Sequence, residues 1–165
     1  MSSELEHACL VPLLELADVV EPWLEHSAGA RPSHGIPPHV TLLFPCAPEP
    51  AGVGEVLADV VAFDTDFREV RRFPDVVYLA PEPAEPFIEL TRALWRRFPE
   101  WPPYEGAHPT ITPHLTVAWR AKLDEAEADV APRLPLRGRA REALLLRRAE
   151  PDRWDPIARF AFREG

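Results

Sequence analysis

The chain has 165 residues, 46 % of them hydrophobic, and a net charge of −9. That length suits one domain, or two small lobes sharing a core. The acidic balance argues against an extended nucleic-acid surface, which needs cations to neutralise backbone phosphates.

The acidic start, MSSELEHACLVPLLELADVV, does not read as a signal peptide. No apolar run approaches the roughly 20 residues of a membrane span, so a cytoplasmic protein without membrane contact is expected. Residues 8–14 are apolar and strand-like. Asp18 is placed to cap a helix over 18–27, with Glu21 three residues on and Val19, Val20, Trp23 and Leu24 at helical spacing. A loop over 30–38 carries Arg31 and His34. A strand over 39–44 follows, then a helix over 53–62 with Val53, Val56, Leu57 and Val60 on one side. Residues 65–73 alternate as a strand, placing Phe67, Glu69, Arg71 and Phe73 on one face. Pro74-Asp75 reads as a turn and 76–80 as a strand.

The clearest helix spans 84–98, with Phe87, Leu90, Leu94 and Phe98 in one apolar stripe. A proline-rich loop over 99–113 leads to a strand over 114–119. Then come a helix near 123–131, one or two strands over 136–148 and a last strand over 156–162. Cys9 and Cys46 lie in or beside apolar segments. They read as small core residues of a reducing compartment, although a single bridge is also compatible with their number.

The succession strand, helix, loop, strand, helix, strand occurs twice. Lobe 1 runs from about 1 to 74 and lobe 2 from about 75 to 148, with a C-terminal strand beyond. The expected fold is α+β and bilobed. Each lobe would have an antiparallel sheet and outer helices, and the free sheet faces would meet in a central cleft.

At matching points of the two halves stand His39-Val40-Thr41 and His114-Leu115-Thr116, 75 residues apart (114 minus 39). Each opens an apolar run, HVTLLF and HLTVAW. Strand alternation puts His39, Thr41 and Leu43 on one face and Val40, Leu42 and Phe44 on the other. In the second copy His114, Thr116 and Ala118 share a face, opposite Leu115, Val117 and Trp119. A third match, His108-Pro109-Thr110, sits among prolines and reads as loop. A lone histidine on a strand is more often packed or solvated than catalytic. Repetition in matching context is what favours function.

The paired motifs, His39-Val40-Thr41-Leu42 and His114-Leu115-Thr116-Val117, resemble those of the 2H phosphoesterase superfamily. More narrowly, they resemble those of the bacterial 2′-5′ RNA ligase-like proteins. The resemblance runs from the first strand to about residue 148. It implies the bilobed α+β fold and metal-independent chemistry, without a cofactor, on 2′,3′-cyclic or 2′-5′ phosphodiesters. No G-x-x-x-x-G-K loop is present, so ATP-driven ligation has no support in the sequence.

The residue types suit that chemistry independently. Opening a cyclic phosphodiester needs a base for water and an acid for the leaving oxygen. Imidazole titrates near neutrality and can serve as either. Thr41 and Thr116 can donate hydrogen bonds to the non-bridging phosphate oxygens. Tyr104 is a candidate to stack on a base. Arg31 and Arg120 are candidates to offset phosphate charge, although surface pairing is the commoner role. The expected partner is a small nucleotide or an RNA end, bound by a monomer. Three rival readings stand beside this: a non-catalytic nucleotide or phosphometabolite binder using the same cleft, a metal site from His39, His114 and His108, and two unrelated structural histidines.

Overall fold

The computed structural model describes residues 7–24, 36–106, 110–150 and 153–165. The elements in chain order are β1 (His7–Pro12), α1 (Ala17–Leu24), β2 (His39–Cys46), α2 (Pro50–Leu57), β3 (Phe63–Phe73), β4 (Val76–Glu82), α3 (Glu85–Arg97), β5 (Leu115–Trp119), α4 (Leu123–Val130), β6 (Leu136–Ala140), β7 (Glu142–Glu150) and β8 (Arg153–Ala161). Short 3₁₀ turns precede α1 and β5 and follow α4. Most expected elements occur within a few residues of their predicted bounds. Two helix starts differ. α1 begins at Ala17, straight off a 3₁₀ turn, so Asp18 lies in its first turn rather than capping it. α2 begins at Pro50, whose fixed φ and missing N–H suit a first helical position.

The fold is α+β. The repeat predicts a sheet for each lobe, but the structure has one. Its eight strands run in the order β6-β3-β4-β5-β2-β1-β7-β8, with every neighbouring pair antiparallel. The two motif strands β5 and β2 are neighbours at the centre, and Val40 pairs with Leu115 across that junction. Strands β4, β3 and β6 extend the sheet on one side, and β1, β7 and β8 on the other.

Membership of these flanks does not follow the sequence halves. β3 joins β4 through the Pro74-Asp75 turn, because consecutive antiparallel strands pair most readily. β7 carries apolar side chains on both faces: Leu145 enters the main core, Leu144 and Leu146 a second cluster. Both of its faces are therefore covered, and β7 lies inside the sheet between β1 and β8.

All four helices contribute to one core, against Val40, Leu42, Leu115 and Val117 of the motif strands. α3 packs on β2, where buried Thr91 Oγ1 donates to the Leu42 carbonyl at 2.8 Å. α1 packs on β5, and the Trp23 indole donates to Asp129 of α4 at 2.8 Å. Each half therefore sends a helix over the motif strand of the other half. Cys9 and Cys46 are free thiols in this core. Burial pushes the Cys46 thiol up to about 12.

Bulges correct the expected faces of three strands. In β2, Leu10 pairs with Thr41 but Cys9 pairs with Leu43, so Leu42 is an extra residue. In β5, Tyr78 pairs with Thr116 but Val77 pairs with Ala118, so Val117 is extra. An added residue reverses the alternation beyond it. Leu43 and Ala118 therefore join Leu42 and Val117 in the core, rather than sharing the histidine face. Phe44 turns instead to that face, packing on the cluster of Leu10, Leu144, Leu146 and Trp154. Trp119 takes the corresponding position on β5 and is absent from the core. The third bulge lies between Phe67 and Val70 of β3. Phe67 is fully buried, while Phe73 stacks on Tyr78 at 4.4 Å.

Among the described residues no helix is long and apolar enough to cross a membrane.

Candidate active site

Val40 and Leu115 are paired and fully buried beneath the helices. Antiparallel strands step in opposite directions, so moving one residue each way sets the next pairs. His39 comes opposite Thr116, and Thr41 opposite His114, on the face away from the core. Opposite side chains in such a ladder are about 4.5–5.5 Å apart at Cβ, and diagonal ones about 7–8 Å. The two imidazoles are the diagonal pair, a spacing that leaves room for one phosphoryl group. All four side chains are half-buried.

The rings are anchored alike. His39 Nδ1 lies 2.8 Å from the Pro37 carbonyl, and His114 Nδ1 lies 2.8 Å from the Thr112 carbonyl. A carbonyl only accepts, so each Nδ1 carries its hydrogen and donates it. In each neutral ring the basic lone pair is therefore on Nε2. Desolvation pushes His39 down to about 4, against the opposing effect of the Pro37 carbonyl. The charge of His114 adds a smaller push in the same direction. His39 is thus neutral at pH 7, and the two rings sense one another.

Two half-buried imidazoles and two hydroxyls thus stand on one face where β2 and β5 meet, in a near-two-fold arrangement. The profile of the 2′-5′ RNA ligase superfamily matches residues 12–152. This chain belongs to that superfamily.

Solved structures carry the same fold at low identity. Escherichia coli LigT complexed with 3′-AMP superposes with a TM-score of 0.64 at 18 % identity, over 95 % of this chain and 97 % of LigT. TT0787 of Thermus thermophilus superposes with a TM-score of 0.66 at 23 % identity, over 96 % of this chain and 98 % of its own. A structure described as a phosphoesterase gives 0.62 at 19 % identity, covering 96 % and 98 %. A search of curated protein sequences returned no match. The expected resemblance to the 2H phosphoesterases, and to their 2′-5′ RNA ligase-like members, is borne out.

Around this superfamily motif pair the surroundings are unequal. Tyr104, on the 3₁₀ turn before β5, hydrogen-bonds with Thr41 and lies nearly parallel to His114, with ring centres 6.4 Å apart. Burial raises the affinity of its phenol for its proton. The turn runs through three left-handed residues, Tyr104 (φ 51°), Glu105 (57°) and Gly106 (78°). Two of the three are not glycine, so this conformation is strained. Tyr78, the partner of Thr116 on β4, lies edge-on to His114 at 5.6 Å. Phe73 lies edge-on to His114 at 5.3 Å. Arg71, paired with Tyr78 across β3 and β4, hydrogen-bonds with that tyrosine and with Glu69. The equivalent neighbours on the other side of the junction are Leu10 and then Leu144.

The structure thus brings His39, Thr41, His114, Thr116 and Tyr104 together. Arg120 follows β5 with φ 67°, and its guanidinium lies 4.6 Å over the Trp119 ring. Arg31, His34 and His108 lie outside the described residues. Among the described residues no group of three His, Cys, Asp or Glu side chains is arranged to hold a metal ion. Phe73, Tyr78 and Arg71 escaped the sequence reading. Within VVYLA, Tyr78 reads as one more apolar-strand residue, and only the β4–β5 register brings it to Thr116.

Proposed function

We propose that this protein is a metal-independent phosphodiesterase acting on 2′,3′-cyclic or 2′-5′ phosphodiester linkages of nucleotides or RNA ends. The observation that carries this reading is the Val40–Leu115 register, with both imidazoles tethered through Nδ1. It makes the two histidines diagonal neighbours on one face, about 7–8 Å apart across the strands. LigT crystals hold 3′-AMP, NADP⁺ and ATP in separate structures, which supports a nucleotide as the ligand class.

In hydrolysis of a 2′,3′-cyclic phosphate, neutral His39 takes a proton from water as its oxygen bonds to phosphorus. The bond from phosphorus to one ribose oxygen breaks, and His114 gives that oxygen its proton. One water is consumed, and both rings return to their starting states by exchange with solvent. Thr41 and Thr116 donate to the non-bridging oxygens as negative charge builds there. Tyr104 holds Thr41. Arg31 and Arg120 are assigned to the substrate's charge. The protein works in the cytoplasm as a monomer, on a small ligand rather than along a nucleic-acid surface.

The test is incubation with 2′,3′-cyclic nucleotides and a 2′-5′ dinucleotide, with and without a chelator, followed by product analysis. Turnover should survive the chelator. His39→Ala or His114→Ala should each lower it about 10²–10⁴-fold. Full activity in the double variant would sink the proposal. Saturable nucleotide binding without product would make the cleft a binding site instead.

A further inference from the structure

We propose that the outer flank of α3 is a binding site for a nucleoside monophosphate, with the base on Trp95 and the phosphate held between Arg92 and Arg96. The site lies on the opposite side of the sheet from His39 and His114, and it does not depend on the reaction assigned to them.

Arg92, Trp95 and Arg96 share one side of α3, and Pro99 follows at the same helical spacing just past its end. All four are exposed, and together they line a surface cavity of about 270 Å³. The stripe of Phe87, Leu90, Leu94 and Phe98 enters the core instead and seats α3 on β2. Trp95 is 39 % exposed. Among the described residues it has no hydrogen bond, ring or cation partner. Each of the other tryptophans has one. Trp23 donates to Asp129, Trp101 lies against Phe98, Trp119 lies under Arg120, and Trp154 meets Phe44 and Arg148.

The two arginines are equally without partners. In a chain with 27 acidic and 18 basic residues, neither Arg92 nor Arg96 forms an ion pair, hydrogen bond or ring contact with a described residue. Glu89, three residues before Arg92, is not paired with it. Their neighbour Arg97 pairs with Glu55 at 3.7 Å and covers the Phe98 ring at 4.8 Å. Like charges four residues apart repel along a helix. The negative helix end favours Arg96 in the last turn but not Arg92, a turn earlier. Two uncompensated guanidinium side chains, about 5–6 Å apart at Cβ, thus stand beside an exposed indole.

That combination selects the ligand by its chemistry. The guanidiniums call for an anion, and their planar forks match phosphate oxygens. The indole and the Pro99 ring offer flat apolar surface, which a bare anion or an acidic side chain leaves unused. A nucleoside monophosphate has both parts, a planar base and a phosphate joined through one ribose. Stacking on an aromatic side chain suits every base, so no preference among bases is expected.

The experiment follows the backbone amide signals of α3 by NMR as 5′-AMP is added to the full chain. They should shift saturably, with an affinity that falls as salt rises. Trp95→Leu should weaken 5′-AMP about tenfold, and Trp95→Phe, which keeps a ring, much less. Arg92→Gln and Arg96→Gln should each weaken it about tenfold. Signals unmoved at millimolar 5′-AMP would overturn the site. Inorganic phosphate binding as tightly as 5′-AMP would overturn it too, leaving an anion patch. So would a phosphotyrosine peptide that binds more tightly than 5′-AMP. A shift abolished by His39→Ala together with His114→Ala would belong to the histidine face and would equally overturn the proposal.

Discussion

His39 and His114 occupy equivalent strands and bond equivalent carbonyls, so what separates them is their neighbours. Desolvation holds one ring neutral, while three aromatic rings surround the other. The threonines divide similarly, because Thr41 bonds to Tyr104. Thr41→Val and Thr116→Val each remove one donor to a charged oxygen. Each should lower kcat/KM for a 2′,3′-cyclic nucleotide about ten- to a hundredfold, less than loss of either histidine. Steady-state kinetics on the two variants checks this. Losses equal to the histidine variants would mean that the hydroxyls do more than hold the phosphate.

At the scale of elements, each motif strand is positioned by a bulge just past its threonine and by a helix from the other half. The bulges place Leu42–Leu43 and Val117–Ala118 in the core, which fixes the histidine face by exclusion. α3 is held on β2 by its apolar stripe and by Thr91, and α2 packs closely on α3. A Cβ at Gly52 would stand 2.9 Å from the Phe98 ring and 3.1 Å from the Arg97 guanidinium. Buried Phe98 has little space to retreat, so Gly52→Ala should destabilise by about 1–3 kcal/mol. Gly54, in the same helix, has its nearest neighbour at 3.5 Å on the Phe160 ring. There the gain in helix propensity should dominate, and Gly54→Ala should stabilise by up to about 1 kcal/mol. Thermal or denaturant unfolding of the two variants should give shifts of opposite sign.

For the whole molecule, the neutral burial of His39 ties stability to pH. Its folded value of about 4 lies below the ordinary 6.5, so between these values the unfolded chain binds the proton and the folded chain does not. Stability from this source is complete above pH 6.5 and falls as pH drops toward 4. Asp66 and Asp129 act lower. The Arg137 hydrogen bond holds the Asp66 carboxyl below its usual range, and the Trp23 indole does the same for Asp129. Their share is present above the ordinary carboxylate range and is lost below it. The melting temperature should therefore begin to fall already between pH 6.5 and 4.5. His39→Gln should flatten that upper part and leave the carboxylate part unchanged. A wild-type melting temperature constant from pH 7 to 4.5 would contradict the assignment.

The chain by itself determined the two His-x-Thr motifs, the alternation that sends Val40 and Leu115 inward, and the apolar stripe of α3. These depend on periodicities of 2 and 3.6 residues, which a local stretch carries in full. Tertiary structure decided the joining of both halves into one sheet at Val40–Leu115, the reversal of Phe44 and Trp119 by bulges, and the arrival of Phe73, Tyr78 and Tyr104 around His114. Those outcomes depend on register between distant strands. Register is set by hydrogen-bonding and packing across the whole sheet, and a one-residue insertion exchanges its faces.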